Sequence, residues 1–353
     1  MLKKNWVSGL GALLVAWVAA ASPLHADDAI SFQGKTVSLI VGYAPGGGTD
    51  VVGRLIGQYL AKYLPGTPSL VVVNMPGAEG VTAVNYLVKQ AKADGLALTI
   101  GVSTQVDPLF YPTAHAVYDP PKLRYIGGTG RPGSALLIAT KALERLNDKS
   151  VPPVTMGALA ALRASMQMAL WGTEYLNWNV KWVFGYPGTN DLKLALERGE
   201  IDMTALSAIA DISEVMKSGN FTVLLQSGAL QSGVLRPRSE LAKAPLFSDM
   251  VGPKVYEPSE KQAIAYTLGL TQVGQWLALP PDAPEPVVAA YRNAFNSTFR
   301  DPSFREKLQQ IDAELTEMNA DEVTALIAKI TATSPDVLNY MRSVARKQGI
   351  KAE

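Results

Sequence analysis

The chain has 353 residues, of which 48% are hydrophobic and 18% charged, with 32 Lys and Arg against 31 Asp and Glu. That balance leaves no basic stripe for a nucleic acid. The absence of cysteine removes disulfides, thiolate nucleophiles and cysteine metal sites together, so stability must come from core packing.

The first 26 residues read as a secretory signal: Lys3 and Lys4 form a basic start, Leu10 to Ala21 an apolar core, and Leu24-His25-Ala26 a cleavage site. The apolar run is shorter than the ~20 residues a membrane-spanning helix needs. Export to a periplasm and cleavage near Ala26 are expected, leaving 30 basic and 31 acidic residues. A mature chain of this length has room for two lobes, since single cores rarely grow beyond about 250–300 residues.

From residue 36 the pattern alternates between β-rich runs and amphipathic stretches. Thr36–Tyr43, Leu70–Val73 and Leu96–Val102 read as strands. Between the first two, Val51, Val52, Leu55, Ile56, Tyr59, Leu60 and Leu64 mark the buried face of a helix, with Gly53, Arg54, Gln58 and Lys62 opposite. A second helix is expected over about Glu79–Lys92. Strand, helix and strand in short succession predict a parallel sheet covered by helices. A second α/β block follows, with strands at Ala135–Ala139, Val154–Met156, Val180–Phe184 and Ile201–Leu206 and helices over Ala160–Leu170 and Asp191–Arg198. Val287–Phe299, Pro302–Ile311 and Ala320–Ala332 read as amphipathic helices packing back on the first lobe. The expected division is 27–130 for the first part of lobe 1, 131–244 for lobe 2 and 245–353 for the return to lobe 1.

The turn Gly42-Tyr43-Ala44-Pro45-Gly46-Gly47-Gly48-Thr49-Asp50 lies between a strand and a helix, at the sheet edge where ligands of α/β proteins gather. Three consecutive glycines let backbone approach a ligand, and the helix start offers unpaired N–H groups and a positive dipole end. An anion is the natural guest. The same residues suit a plain turn in which Thr49 or Asp50 caps the helix. Asp50 in particular reads as a group that orients the loop, since its charge would repel an anion. The dinucleotide pattern fails at Val51, where its third glycine belongs, and no phosphate-binding Gly-Lys-Ser/Thr follows. His115 is the one histidine beyond the signal segment, no Gly-x-Ser-x-Gly elbow occurs and no metal cluster is visible, so neither catalysis nor a cofactor is expected.

Two further turns share that sheet edge: Asn74–Gly80, with Gly77 at its centre, and Gly101–Gln105, which carries Ser103, Thr104 and Gln105. Each alone is ordinary strand-to-helix turn chemistry. From the second lobe, Tyr186 and Gly188 of Gly185–Thr189 precede a helix, and Arg131, Arg163 and Ser165 are candidates for contact with the guest. Trp171, Trp178 and Trp182 read as core or hinge packing.

These motifs resemble the substrate-binding receptors of tripartite tricarboxylate transporters, the Bug family. The matching stretches are GYAPGGGTD followed by Arg54, NMPGAEG for the family's N-x-P-G-A-G-G, Ala93-Asp94-Gly95, FGYPGTNDLKLALERGEID, SGN before FTVLL, and LALPPDAPEPVVAAYRNAF before Arg300-Asp301-Pro302. The resemblance implies a two-lobed α/β periplasmic-binding-protein fold of type II-like form, a small mono-, di- or tricarboxylate as ligand, and integral membrane transporter subunits as partners. It implies that carboxylates are held mainly by backbone amides and water at Tyr43, Pro45, Gly46, Gly47, Thr49 and Asp50, beside the loops around Gly77 and Ser103–Gln105. A periplasmic carboxylate-sensing adaptor is the alternative role. The chain departs from the family pattern at Glu79, where glycine is usual, and in the loop Gly157–Ser165, which lacks the usual glycine and serine richness.

Overall fold

In the computed structural model, which describes residues 1–2, 30–131, 133–231 and 234–351, the alternation of β-rich and amphipathic segments becomes two helix-flanked sheets. The expected signal core and cleavage point lie outside the described residues. Ser31–Glu353 forms one compact unit. In chain order it contains β1 (Thr36–Val41), α1 (Gly48–Tyr63), β2 (Ser69–Asn74), α2 (Val81–Lys89), β3 (Ala97–Gly101) and β4 (Arg124–Gly130). There follow β5 (Ala135–Ala139), β6 (Val154–Ala158), α3 (Ala164–Tyr175), β7 (Val180–Phe184), α4 (Thr189–Arg198), β8 (Met203–Leu206), α5 (Ile209–Met216) and β9 (Phe221–Gln226). A short hairpin, β10 (Ala229–Gln231) and β11 (Val234–Arg236), leads to α6 (Phe247–Val251), α7 (Pro258–Gln272) and β12 (Val273–Leu279). The chain ends with α8 (Glu285–Arg300), α9 (Pro302–Ile311), β13 (Thr316–Met318), α10 (Ala320–Thr331) and α11 (Pro335–Lys347).

The first sheet has the order β13-β4-β12-β3-β1-β2. Its β1, β2 and β3 are parallel, as the strand–helix rhythm predicts. The whole sheet is mixed, however, because β12 inserts antiparallel between β3 and β4, and β13 adds antiparallel to β4. The second sheet, β7-β6-β8-β5-β9, is also mixed: β7, β6 and β8 are parallel, and β5 runs against both β8 and β9.

Helix α1 shows how sequence sets packing. Val52, Leu55, Ile56, Tyr59 and Leu60 are buried, as their spacing requires. Two positions exchange roles relative to the periodicity: Val51 is exposed, while Gly53 is buried, with a Cβ there reaching 3.4 Å from Ile100. Helices α8 and α9 lie along α1, where Tyr59 meets the Ser303 hydroxyl and Asp301 accepts from Lys62 and Tyr63. Helices α7 and α11 pack within the core that holds β5, β6 and β8, joined by Val337, Met341, Val344 and Ala345. Trp171 is fully buried there, its indole N–H donating to the Thr267 hydroxyl (2.8 Å), and Trp178 is buried beside Gly172. Arg238 ties the sheets together. Its guanidinium is buried, pairs with Glu314 ahead of β13 and donates to the Ser207 carbonyl after β8.

Candidate functional site

The parallel strands of both sheets run toward a common cleft, so the turns after β1, β3, β6, β7 and β8 open onto it. The cleft holds about 560 Å³, within the range of small-molecule sites.

On the first sheet, the turn after β1 is shaped by a buried carboxylate. Asp50, 1% exposed, accepts from the Gly46 N–H (2.8 Å), from Arg54 Nε (2.8 Å) and from Asn74 Nδ2 (2.7 Å). Burial opposes its ionisation, but the donors from Arg54, Gly46 and Asn74 outweigh it, and the carboxyl titrates below its ordinary range. Asp50 therefore orients the loop from behind. Gly46 adopts φ +80°, which a side chain would strain, and its N–H is turned inward to Asp50. Gly47, by contrast, has an extended backbone, and a Cβ there meets nothing closer than the Ala44 carbonyl at 3.4 Å. Helix α1 then begins at Gly48 with no side chain capping it.

The second and third turns are locked to one another. The carbonyl of Glu79 accepts from the Tyr43 hydroxyl (3.0 Å), from Thr104 Oγ1 (3.3 Å) and from the side-chain amide of Gln105. Gln105 also donates to Tyr43 Oη (3.0 Å) and accepts from the Val102 N–H (2.6 Å). This network holds Ala78 and Glu79 at φ +47° and +52°, a conformation that costs about 1–2 kcal/mol per non-glycine residue. Burial, reinforced by the Glu79 carboxylate and opposed by Arg163, raises the Tyr43 phenol, which stays a neutral donor.

On the second sheet, three helices present their N-termini to the cleft. Helix α3 starts after Arg163, α4 after Gly188 and α5 after Ala208, and none has a side-chain cap. With α1, four helix starts converge with free N–H groups and positive dipole ends. Helices α9, α10 and α11 are capped conventionally, by Asp301, Asn319 and Ser334. Helices α2, α6 and α8 also lack a side-chain cap without lining the cleft, so the convergence of four starts, rather than the missing caps alone, sets this region apart. Such an arrangement holds a small anion through backbone amides.

The cleft brings together Tyr43, Gly46, Gly47, Gly48, Thr49, Ser103, Arg163, Ser165 and Gly188 from the expected set. It does not reach Pro45, Asp50, Gly77, Thr104, Gln105 or Tyr186. Thr104 and Gln105 are buried behind Tyr43, Gly77 lies against Thr82, and Tyr186 packs on the core of the second sheet. The lining also includes Arg131, a candidate from the sequence, and adds Ser134, Ser207 and Gln275. Ser207, whose hydroxyl meets that of Ser134 (2.8 Å), follows β8 at a turn like the others, so continuing the strand–turn reading past Leu206 would have found it. Gln275 lies on β12, which local pattern did not mark. His115 is on an exposed turn, outside the cleft lining.

A larger groove of about 960 Å³ lies beyond Arg131, lined by α7, α10 and β13 residues such as Leu268, Leu326 and Ile330. The helix start bordering it, at Ser334, is capped by its own hydroxyl, so it offers little to an anion. Among the described residues no group of side chains is placed to hold a metal ion, and no helix is long and apolar enough to cross a membrane.

No family model matches the chain. A UPF0065 protein from the gbd 5′ region of Cupriavidus necator is 26% identical over 341 residues, spanning 93% of this chain and 94% of the relative. Protein BugT of Bordetella pertussis is 35% identical over 92 residues, 26% of each chain. Among solved structures, a TctC solute-binding protein from Polaromonas superposes with a TM-score of 0.62 at 18% identity, covering 90% of this chain and all of that one. MatC from Rhodopseudomonas palustris with bound malate gives 0.60 at 20% identity, covering 86% and 98%. A second protein of that organism, with adipate, gives 0.63 at 19% identity, covering 89% and 97%. In sequence the chain is similar to UPF0065 and Bug proteins, as its motifs suggest, and in fold to periplasmic solute-binding proteins.

Proposed function

We propose that the chain is a periplasmic receptor that captures a small carboxylate by closing two lobes, one built on each sheet, and delivers it to the membrane subunits of a tripartite tricarboxylate-type transporter. The observation that carries this reading is the convergence of four uncapped helix N-termini, from both sheets, on one cleft. A carboxylate there accepts from the amides of Gly48 and Thr49 on one side and from those of Ser165 or Thr189 on the other. Closure is favoured by the ligand because only the closed form lets both sides donate at once. The Bug-type kinship, and the malate and adipate held by structures of the same fold, support the choice of a carboxylate over other anions.

The test is thermal unfolding of the mature protein across a panel of mono-, di- and tricarboxylates. A binding acid at about 100 times its Kd adds ~2.7 kcal/mol, a rise in Tm of roughly 5 °C for a chain of this size. Gly47→Val is the matched control. The backbone at Gly47 accepts a side chain, which would project into the cleft, so the variant should fold normally and lose the shift. A panel without any shift, or an unchanged shift in Gly47→Val, contradicts the assignment.

A further inference from the structure

The two cationic side chains lining the cleft are both engaged by carboxylates of the protein itself. Arg131 faces Asp312 at 3.6 Å. Arg163 Nη1 lies 3.0 Å from Glu79 Oε2, and this second pair crosses the cleft from the turn after β2 to the start of α3. Both members line the cleft and are about a quarter exposed. Glu79 is not a wandering surface residue. Its backbone carbonyl is held by Tyr43, Thr104 and Gln105, and its left-handed conformation, between Ala78 and Gly80 of like sign, fixes where the side chain leaves the main chain. Its carboxylate therefore sits beside the uncapped N-terminus of α3, the same kind of position an external anion would seek.

We propose that Glu79 fills, from within the chain, the place that a second ligand carboxylate would take, and so restricts the cleft to monocarboxylates. This rests on the reading of the cleft as a carboxylate site. A monocarboxylate seats its charge on the α1 amides and leaves the Glu79–Arg163 pair intact. A dicarboxylate long enough to span the cleft meets Glu79 at its far end and must either displace a tethered competitor from Arg163 or stand beside a like charge. The residues at the α1 end do not make this distinction, because they see one carboxylate in either case.

The experiment is calorimetric titration with acids matched in length, butyrate against succinate and hexanoate against adipate. The wild-type protein should bind the monoacid of at least one pair tenfold or more tightly than its diacid. Glu79→Gln should raise diacid affinity at least tenfold more than it raises the affinity of the matched monoacid. Adding Arg163→Gln should abolish that gain. Glu79→Gly, suited to the left-handed backbone, is the second variant should Glu79→Gln fold poorly. Wild-type preference for a diacid, or variants that leave diacid binding unchanged, overturn this proposal while leaving the carboxylate site in place. Failure of every acid to bind either protein overturns the site and this proposal with it.

Discussion

Asp50→Ala removes the carboxylate that holds the turn after β1, and its cost can be worked from the bonds it makes. Three donors lose their acceptor: the Gly46 N–H, Arg54 Nε and Asn74 Nδ2. Breaking a fully buried ion pair costs about 3–5 kcal/mol. Here the penalty falls at the low end of that range, because the Arg54 side chain is 49% exposed and rehydrates, and Asn74 still donates to the Tyr43 carbonyl. At about 1 kcal/mol for each lost bond, the variant should be ~3 kcal/mol less stable. Binding should fall as well, by about tenfold, since a Gly46–Gly48 turn without its anchor must be ordered by the ligand. Urea unfolding measures the first quantity and calorimetric titration with the tightest acid of the panel the second. The sign of the pH dependence adds a third readout. The native Asp50 carboxyl titrates below its unfolded value, so its contribution is present at neutral pH and is lost as pH falls through the native titration range. The variant should lack that part of the acid slope. Stability within 0.5 kcal/mol of wild type, with unchanged affinity, would refute the reasoning, 0.5 kcal/mol being about the scatter of neutral surface substitutions.

Asp107 should behave in the opposite sense. It is buried, it accepts from the Tyr266 hydroxyl and the Leu109 N–H, and Arg342 bears on it from a distance, yet burial pushes its carboxyl up to about 7. Its contribution is complete at acid pH and is lost as pH rises toward 7, by about 4 kcal/mol for three pH units. Asp107→Asn should remove this loss, so the difference in unfolding free energy between variant and wild type should grow in the variant's favour from pH 4.5 to 7.5; a constant difference contradicts the assignment. At Gly101, a Cβ would lie 2.2 Å from Cζ2 of Trp276, which is wholly buried and donates to the Val102 carbonyl. Gly101→Ala should cost about 1–3 kcal/mol by overpacking, and an unchanged denaturation midpoint would show that Trp276 has room to move.

Much of this was legible in the chain, for local reasons. β1, β5 and β7 and the helices along the glycine turns follow from runs and periods a few residues long, and the helix Pro302–Ile311 was bounded by its own Asp301-Pro302 start. The sheet order was not. β12 pairs with β3 and β4, which precede it by well over a hundred residues, and nothing in Val273–Leu279 names those partners. Helix α3 begins at Ala164, a turn later than its alanine-rich approach suggests, because Leu162 takes a left-handed conformation that the preceding residues do not announce. In the cleft, the glycine turn was readable from composition, whereas the Glu79–Arg163 pair joins residues 84 apart. Glu79 was visible as a departure from pattern, but only the fold brings its partner opposite. Likewise Thr104 and Gln105 looked like lining residues. They are instead the buried props of the Glu79 carbonyl, since the chain after β3 turns inward at Val102.

The most direct test of the whole account is the crystal structure of the protein with the tightest acid of the panel. A ligand carboxylate within hydrogen-bond distance of the Gly48 and Thr49 N–H groups, in the cleft shared with Arg163 and Gly188, is the predicted result. A ligand seated in the apolar groove beyond Arg131, or lying in the cleft with its carboxylate turned away from the helix N-termini, would contradict it.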